Sequence, residues 1–143
     1  MLCSFGLFFA FMRELGMKSP ERGGIIGGKG GIATHFFYDE TASTAQSYYI
    51  PDVPVLNRVL REWSKDGIAL MGIAHSHQNE DERLSTQDVS CARAILEANP
   101  FLKELEFPII LPESQGRWMV SYCIDREAVR KSKLYFYCTK STN

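Results

Sequence analysis

The stretch Ile68–Ala74 constrains the fold of this chain more than any other part of the sequence. It is a nearly continuous apolar run with the length of one strand, and it lacks the polar alternation of a strand with one face in water. Such a run predicts a central strand that is buried on both faces. The chain must therefore build a sheet around this strand and cover both of its sides.

Three segments, 5–15, 51–65 and 85–99, have the apolar periodicity of helices and can supply this cover. Gly16 predicts the end of the first helix, and Pro100 closes the third. The periodic apolar residues are Phe5, Phe8, Phe9, Met12 and Leu15 in the first segment, Val55, Leu56, Val59, Leu60 and Trp63 in the second, and Val89, Ala92, Ile95 and Leu96 in the third.

The remaining apolar segments predict strands. The glycine-rich stretch 21–31 is typical of a short strand pair or a strand and a turn. A turn is predicted at 18–20 and an exposed polar loop at 39–47. Further strands are predicted at 32–38, 107–111, 118–124 and 134–137. Helices and strands mix without strict alternation, which predicts an α/β or α+β domain with a curved sheet flanked by two or three helices.

Composition predicts a single domain, residues 1–143, and excludes several functions. The chain has 16 lysines and arginines against 17 aspartates and glutamates, a net charge of −1. No basic excess is present to hold a phosphate backbone, so we expect no nucleic-acid partner. The longest apolar run, Leu7–Met12, is far shorter than the ~20 residues of a membrane span, so no membrane partner is expected either.

Four cysteines stand far apart in the sequence, at Cys3, Cys91, Cys123 and Cys138. None belongs to a C-x-x-C pair, which argues against a zinc ribbon and against a thioredoxin-like motif. We interpret them as free thiols of a reducing compartment, most of them filling the core. The expected location is cytoplasmic.

Three potential metal ligands lie at the end of the central strand and at the start of the next helix. His75 and His77 end the strand. Because side chains at i and i+2 of a strand share a face, the two imidazoles converge while Ser76 points away. Ser85 is placed to cap the next helix, with Asp88 in its first turn. A carboxylate from the helix start then lies near both imidazoles. Two nitrogens and one oxygen, with a fourth position left to water, form the ligand set of catalytic zinc.

Each half of this pattern is unspecific by itself. An H-x-H sequence occurs by chance, and S-x-x-D is an ordinary capping pattern. The combination is far more specific, because it joins the end of a buried strand to the start of a helix. It also holds two of the three histidines of the chain.

The full pattern resembles the JAMM motif of the JAB-like, MPN-domain zinc metalloproteases. That motif is H-x-H, seven residues, S-x-x-D, with a distant glutamate at a strand start. Here it stands as Glu21, His75, His77, Ser85 and Asp88, and the resemblance covers most of the chain. It implies the MPN fold, with His75, His77 and Asp88 as ligands of one zinc ion per chain. It also implies Glu21 as general acid/base and Ser85 as oxyanion stabiliser.

The resemblance implies an activity as well. A domain of this length looks like the small stand-alone prokaryotic members of the family. The implied reaction is hydrolysis of a peptide or isopeptide bond, next to the C-terminal tail of a ubiquitin-like or sulfur-carrier protein. Hydrolysis of small peptide or amino-acid conjugates is an alternative, and the residues do not distinguish between the two substrate classes. A non-catalytic MPN scaffold is a further alternative, against which the presence of all five motif residues argues.

One position departs from the family pattern. Gln78 follows the second histidine, where many family members have proline. Proline would stiffen the chain there, so we expect the loop 78–84 to be more mobile and to fit substrate differently. Glu80, Asp81 and Glu82 make this loop acidic, which favours a solvated charged turn over an element that steers substrate.

A second pattern, G-x-x-x-x-G-K at Gly23–Lys29, resembles a phosphate-binding loop. The next residue is Gly30, not the serine or threonine that would bind Mg²⁺. No buried strand precedes the pattern and no helix is predicted after it. Nucleotide binding is therefore not expected.

Overall fold

The structure, a computed structural model, describes residues 1–16, 21–42, 49–78, 81–112 and 118–138. Its helices are α1 (Phe5–Leu15), α2 (Val53–Lys65) and α3 (Thr86–Ala98). Its strands are β1 (Leu2–Ser4), β2 (Gly23–Lys29), β3 (Ile32–Tyr38), β4 (Ala69–Ser76), β5 (Glu104–Ile110), β6 (Met119–Asp125), β7 (Val129–Ser132) and β8 (Tyr135–Tyr137). All three predicted helices are confirmed. The predicted turn at 18–20 and residues 43–47 of the predicted loop lie outside the described residues.

The strands form one curled, mixed sheet in the order β7-β6-β5-β4-β2-β3-β1-β8. β4 pairs antiparallel with β2 and parallel with β5, so it is a central strand, as the apolar stretch predicted. β1 runs parallel to both β3 and β8. The predicted class, a curved sheet flanked by helices, is confirmed.

Both faces of the sheet are covered, and successive residues of β2 and β4 alternate between them. Ile26 and Ala74 pack on the side of α1, whereas Ile25 and Ile73 pack on the side of α2 and α3. The buried residues on the α1 side are Cys3, Leu7, Phe11, Leu15, Ile26, Ala33, Ala74 and Ile110. Those on the other side are Ile25, Leu56, Ile73, Ala92, Leu96, Leu105, Phe107 and Ile124. Burial on two sides explains why the central strand has no polar alternation.

β2 and β3 form a hairpin, and the glycine-rich stretch supplies one strand and the turn, the second of the two alternatives predicted for it. Its turn consists of Gly30 and Gly31, whose φ angles of 58° and 78° are readily adopted by glycine. The G-x-x-x-x-G-K pattern lies along β2 itself, which pairs with β3 on one side and β4 on the other. An extended strand paired on both edges cannot wrap around a phosphate, which agrees with the exclusion of nucleotide binding.

The buried face of α1 differs from the predicted one. Leu7, Phe11 and Leu15 are buried, whereas Phe5 and Phe9 are 39% and 57% exposed. The helix is apolar almost all round, so periodicity alone does not define the stripe that meets the sheet. The exposed rings pack against each other instead, with the centroids of Phe5 and Phe9 5.1 Å apart.

Three further features were wrong or missing in the sequence analysis. β1 was not predicted, because a strand of three residues is too short to show a pattern. β7 was not predicted, because Val129–Ser132 reads V-R-K-S and has no apolar alternation; it forms one edge of the sheet. Asp39 falls in the segment predicted as an exposed loop, yet it is only 3% exposed. Its Oδ2 accepts hydrogen bonds from the Tyr49 hydroxyl and the Asp52 amide, which offset part of the cost of burial, while its Oδ1 has no partner among the described residues.

The four cysteines are unpaired, as predicted, and Cys3 and Cys123 are buried. Burial raises the pKa of the Cys3 thiol to about 11, so this group stays protonated at neutral pH. Among the helices of the described ranges, none has the length and apolar character required to cross a bilayer.

Candidate metal centre

His75 and His77 converge at the end of β4, as the strand periodicity predicted. Their Nε2 atoms lie 2.9 Å apart, and their ring centroids are 4.8 Å apart. The backbone amide of His77 donates to the carbonyl of Ile110 at 3.0 Å, so β5 fixes the end of the strand. The two rings are therefore carried by paired backbone rather than by a free loop.

The tautomer of His77 is set by the loop that follows it. Its Nδ1 atom lies 2.7 Å from the carbonyl oxygen of Asp81. A carbonyl oxygen only accepts hydrogen bonds, so Nδ1 must carry the proton of the neutral ring. The Nε2 lone pair is then directed toward His75 and is available to a metal ion, the arrangement that outer hydrogen bonds produce in metal sites.

His75 is the buried member of the pair, with 2% of its surface exposed. Its ring packs edge-on against Phe107, with centroids 5.4 Å apart. Its Nδ1 atom has no hydrogen-bond partner within the described part of the chain. His75 is therefore held by packing on Phe107 and by the polar contacts of its Nε2 atom with His77 and Asp88, whereas the Nδ1 atom of His77 is held by the Asp81 carbonyl.

Asp88 is brought to the histidines by the start of α3. Ser85 is the N-cap of this helix: its Oγ accepts from the Asp88 amide at 3.0 Å, and Asp88 Oδ2 accepts from the Ser85 amide at 2.8 Å. This reciprocal capping box confirms the predicted cap. It also fixes the carboxylate with Oδ2 3.5 Å from Nε2 of His75.

The electrostatics of this site keep Asp88 ionised. Burial by itself raises the pKa of the carboxyl. The hydrogen bond and charge of His75, together with the hydrogen bonds from Ser85, outweigh this and bring the pKa to about 2. Asp88 therefore offers a charged oxygen ligand throughout the physiological range.

The donor set fits a zinc ion. The three ligand atoms of His75, His77 and Asp88 all lie within 4.8 Å of one another. Ligands at about 2.0–2.1 Å from a tetrahedral zinc lie roughly 3.3 Å apart. The two separations that involve His75, 2.9 Å and 3.5 Å, are close to that value, whereas the group as a whole spreads over as much as 4.8 Å and would have to contract around the ion. Imidazole nitrogens favour zinc over Mg²⁺ or Ca²⁺.

Glu21 is brought to the same site by the pairing of β2 with β4. Gly23 lies opposite His75, and the Ser76 amide donates to the Arg22 carbonyl at 2.8 Å. Continuing this register places Glu21 opposite His77, on the face that carries both imidazoles. Glu21 lines one cleft of about 440 Å³ together with His77, Ser85 and Asp88. The resemblance implied that Glu21 belongs to the site, and the pairing of β2 with β4 explains how it comes to lie beside His77.

The sequence analysis missed Tyr49, which lines this cleft as well. Its hydroxyl donates to Asp39 Oδ2 at 2.8 Å, and its ring lies over Gly23. A Cβ atom added at Gly23 would lie 2.5 Å from the ring carbon Cδ1 of Tyr49, so the ring occupies the space left by the missing side chain. No local pattern in the sequence indicates this contact.

The loop between the histidines and α3 is anchored where it is described. Asp81 accepts from the Arg83 side chain at 3.0 Å and 3.2 Å, and the Tyr122 hydroxyl donates to the Glu82 carbonyl at 2.6 Å. Asp81 and Arg83 also line the cleft. Glu80, part of the predicted acidic turn, lies outside the described residues.

Comparison with known proteins identifies the fold. No family model matches the sequence, and no curated protein matches it. Among solved structures, a protein of Desulfitobacterium hafniense matches with a TM-score of 0.74 and 16% identity, over 98% of this chain and 94% of that one. A JAB1/MPN domain protein from Archaeoglobus fulgidus matches with a TM-score of 0.59 and 17% identity, over 95% and 98%. A structure described as a metalloprotease-like JAMM zinc site in the proteasome and signalosome matches with a TM-score of 0.56 and 15% identity, over 96% and 97%.

The chain therefore has a fold of the MPN/JAMM type, which confirms the resemblance at the level of the fold. Within that fold, its own residues His75, His77 and Asp88 form a group that can hold a metal ion. The group opens to the cleft that Glu21 and Ser85 line.

Proposed function

We propose that this chain is a JAMM-type zinc hydrolase that cleaves a peptide or isopeptide bond. The observation that carries the proposal is the grouping of His75, His77 and Asp88. The last two of these line a cleft together with Glu21 and Ser85. Structural zinc sites are closed by four protein ligands, whereas three ligands at an open cleft leave room for water and substrate. The MPN/JAMM-type fold supports this conclusion.

His75, His77 and Asp88 would hold the zinc ion. When bound, it supplies a Lewis acid that activates water and polarises a carbonyl group at neutral pH. The Asp81 carbonyl keeps the His77 ring in the tautomer that presents Nε2. The Ser85 amide keeps Asp88 oriented toward His75. These two contacts preorganise the ligand set before the ion arrives.

Glu21 is the proposed proton carrier. A carboxylate beside the attacking water can accept its proton and then deliver that proton to the departing amine. The pairing of β2 with β4 places Glu21 beside the ligand His77, in the same cleft. Glu21 itself is not part of the ligand group.

Ser85 is the proposed hydrogen-bond donor to the substrate carbonyl oxygen. Its Oγ already accepts from the Asp88 amide, and the hydroxyl proton remains available to donate. A donor aimed at the oxygen that becomes charged stabilises the transition state more than the bound substrate.

The proposed substrate is a conjugate or precursor of a ubiquitin-like or sulfur-carrier protein, cut next to its C-terminal tail. A cleft of about 440 Å³ is within the range of sites that enclose a small ligand, so it would take a few residues of extended chain. A short peptide or an amino-acid conjugate is the second candidate.

The test is cleavage by the zinc-loaded protein, with and without chelator. The panel combines ubiquitin-like and sulfur-carrier proteins with C-terminal extensions and a set of short peptides. Glu21→Gln is the matched variant, because it removes the proton carrier without removing a ligand. We expect it to keep its zinc and to lose roughly 10²–10⁴-fold in turnover. Wild-type turnover in this variant would remove Glu21 from the mechanism. A protein that binds no zinc, or that cleaves nothing when loaded, would be a non-catalytic scaffold.

A further inference from the structure

A second, smaller cavity of about 160 Å³ adjoins the metal cleft. The two share part of their lining, namely Tyr49, Gln87 and Asp88. Asp88 is also one of the candidate metal ligands. A side chain of a substrate bound beside Asp88 could therefore extend into the smaller cavity.

The smaller cavity is apolar apart from the wall it shares with the cleft. Its floor is formed by Ile73 and Phe107, each 2% exposed, which belong to the core between the sheet and α3. Cys91 lines it from α3, and Pro51 lines it from the segment before α2. It therefore matches an apolar group and offers little to a charged one.

The shape of the cavity is fixed before any ligand enters. Tyr49, which separates it from the cleft, is held by its hydrogen bond to the buried carboxylate of Asp39 and by its ring contact over Gly23. The same Asp39 oxygen accepts from the Asp52 amide at 2.9 Å, which ties the start of α2 to this wall. A preformed pocket binds without the cost of ordering its walls.

Its size defines the group it takes. An apolar cavity of about 150 Å³ holds one benzene-sized molecule. A cavity of about 160 Å³ would stay largely empty beside glycine or alanine. It matches the size of a branched aliphatic or small aromatic side chain.

We propose that the cavity lined by Tyr49, Cys91 and Phe107 is a specificity subsite, which receives an apolar side chain of the substrate residue flanking the scissile bond. This inference rests on the proposed function and narrows its substrate class. It favours peptides or conjugates with a residue such as leucine at the cleavage point, over those with glycine there.

Benzene binding tests the cavity without reference to catalysis. In the full chain labelled at isoleucine methyl groups, benzene is titrated by NMR with and without zinc. We expect chemical-shift changes at Ile73 and Ile50, which line the cavity, and not at Ile124, which does not. Cys91→Phe fills the cavity and should abolish the changes. Absence of shifts at Ile73 in the wild-type protein would overturn the subsite.

Cleavage of paired peptides tests the role of the cavity. The peptides differ only in having glycine or leucine on one side of the scissile bond, with both sides tested. We expect kcat/KM of the zinc-loaded protein to favour leucine by at least about tenfold. Cys91→Phe and the less bulky Cys91→Leu should reduce this ratio. Cys138→Phe, the same change at an exposed cysteine, should leave it unaltered.

The outcomes separate the two proposals. Cleavage of glycine and leucine peptides with equal kcat/KM would overturn the subsite and leave the hydrolase standing. Cleavage of no substrate by the zinc-loaded protein would overturn the hydrolase and the subsite with it.

Discussion

The ring of Tyr49 occupies the space that a side chain at Gly23 would fill, directly opposite His75 in the pairing of β2 with β4. A residue from the segment before α2 thus completes the wall of a cleft whose ligands come from β4 and α3. The absence of a Cβ atom at Gly23 is what lets the three elements meet.

Substitution of Gly23 by alanine should displace this wall. The new Cβ atom would lie 2.5 Å from Tyr49 Cδ1, so the ring must move, and its hydrogen bond to Asp39 is lost. We expect a loss of about 1–3 kcal/mol in the free energy of unfolding, measured by urea denaturation. Gly6→Ala is the matched control, because its Cβ atom meets only Ser4 Oγ at 4.0 Å and lies in a helix. It should be neutral or stabilising. Equal stability of Gly23→Ala and the wild type would contradict the contact.

Metal content tests the ligand set. The purified protein should bind about one zinc ion per chain, because two imidazoles and a carboxylate favour zinc. His75→Ala, His77→Ala and Asp88→Ala should each lose most of it, as measured by elemental analysis after dialysis. His35→Ala is the control: it removes the third histidine, which lies on β3, outside the ligand group. Full zinc retention in the His75/His77 double variant would refute the site.

The low pKa of Asp88 predicts how the metal-free protein responds to acid. Its folded-state pKa of about 2 lies below the ordinary value of 3.8. A depressed pKa contributes stability that is present above the ordinary pKa and is lost as the pH falls toward the folded value. We therefore expect about 2 kcal/mol of stability to disappear between roughly pH 5 and pH 2.

Asp88→Asn is the variant that isolates this contribution. Asparagine keeps an oxygen that can accept from the Ser85 amide and loses the charge that titrates. The difference in unfolding free energy between the two proteins should shrink as the pH falls from 5 to 2. A constant difference over that range would show that Asp88 is not ionised against His75.

How much of this site the sequence predicts depends on the distance between partners along the chain. His75 and His77 are two residues apart, and Ser85 and Asp88 are three apart, so strand and helix periodicity predict their placement. Gly23 and His75 are paired across a register that no local rule specifies. The position of Glu21 therefore came only from the resemblance.

The two largest errors have physical causes of a different kind. The face of α1 was wrong because nearly every position of Phe5–Leu15 is apolar, and only packing against the sheet selects Leu7 and Phe11. Asp39 was predicted to be exposed because an isolated carboxylate in a polar segment usually is. The Tyr49 hydroxyl and the Asp52 amide, both supplied by a later segment, make its burial possible.

Ser85 combines two roles, which substitutions can separate. As N-cap it stabilises α3 by about 1 kcal/mol and needs only an acceptor oxygen, which aspartate also supplies. As donor to the substrate oxygen it lowers the barrier by about 3 kcal/mol, a rate factor on the order of 10², and a charged aspartate cannot donate. We expect Ser85→Asp in the zinc-loaded protein to keep most of its thermal stability and lose most of its activity.

Two further variants complete the test. Ser85→Ala should lose part of both, and Ser85→Thr, which keeps the hydroxyl, should restore both. Zinc should remain in all three, because Ser85 is outside the ligand group. The measurements are melting curves, zinc analysis and steady-state rates on the same preparations. Wild-type turnover in folded, zinc-loaded Ser85→Asp would show that Ser85 acts only as a cap.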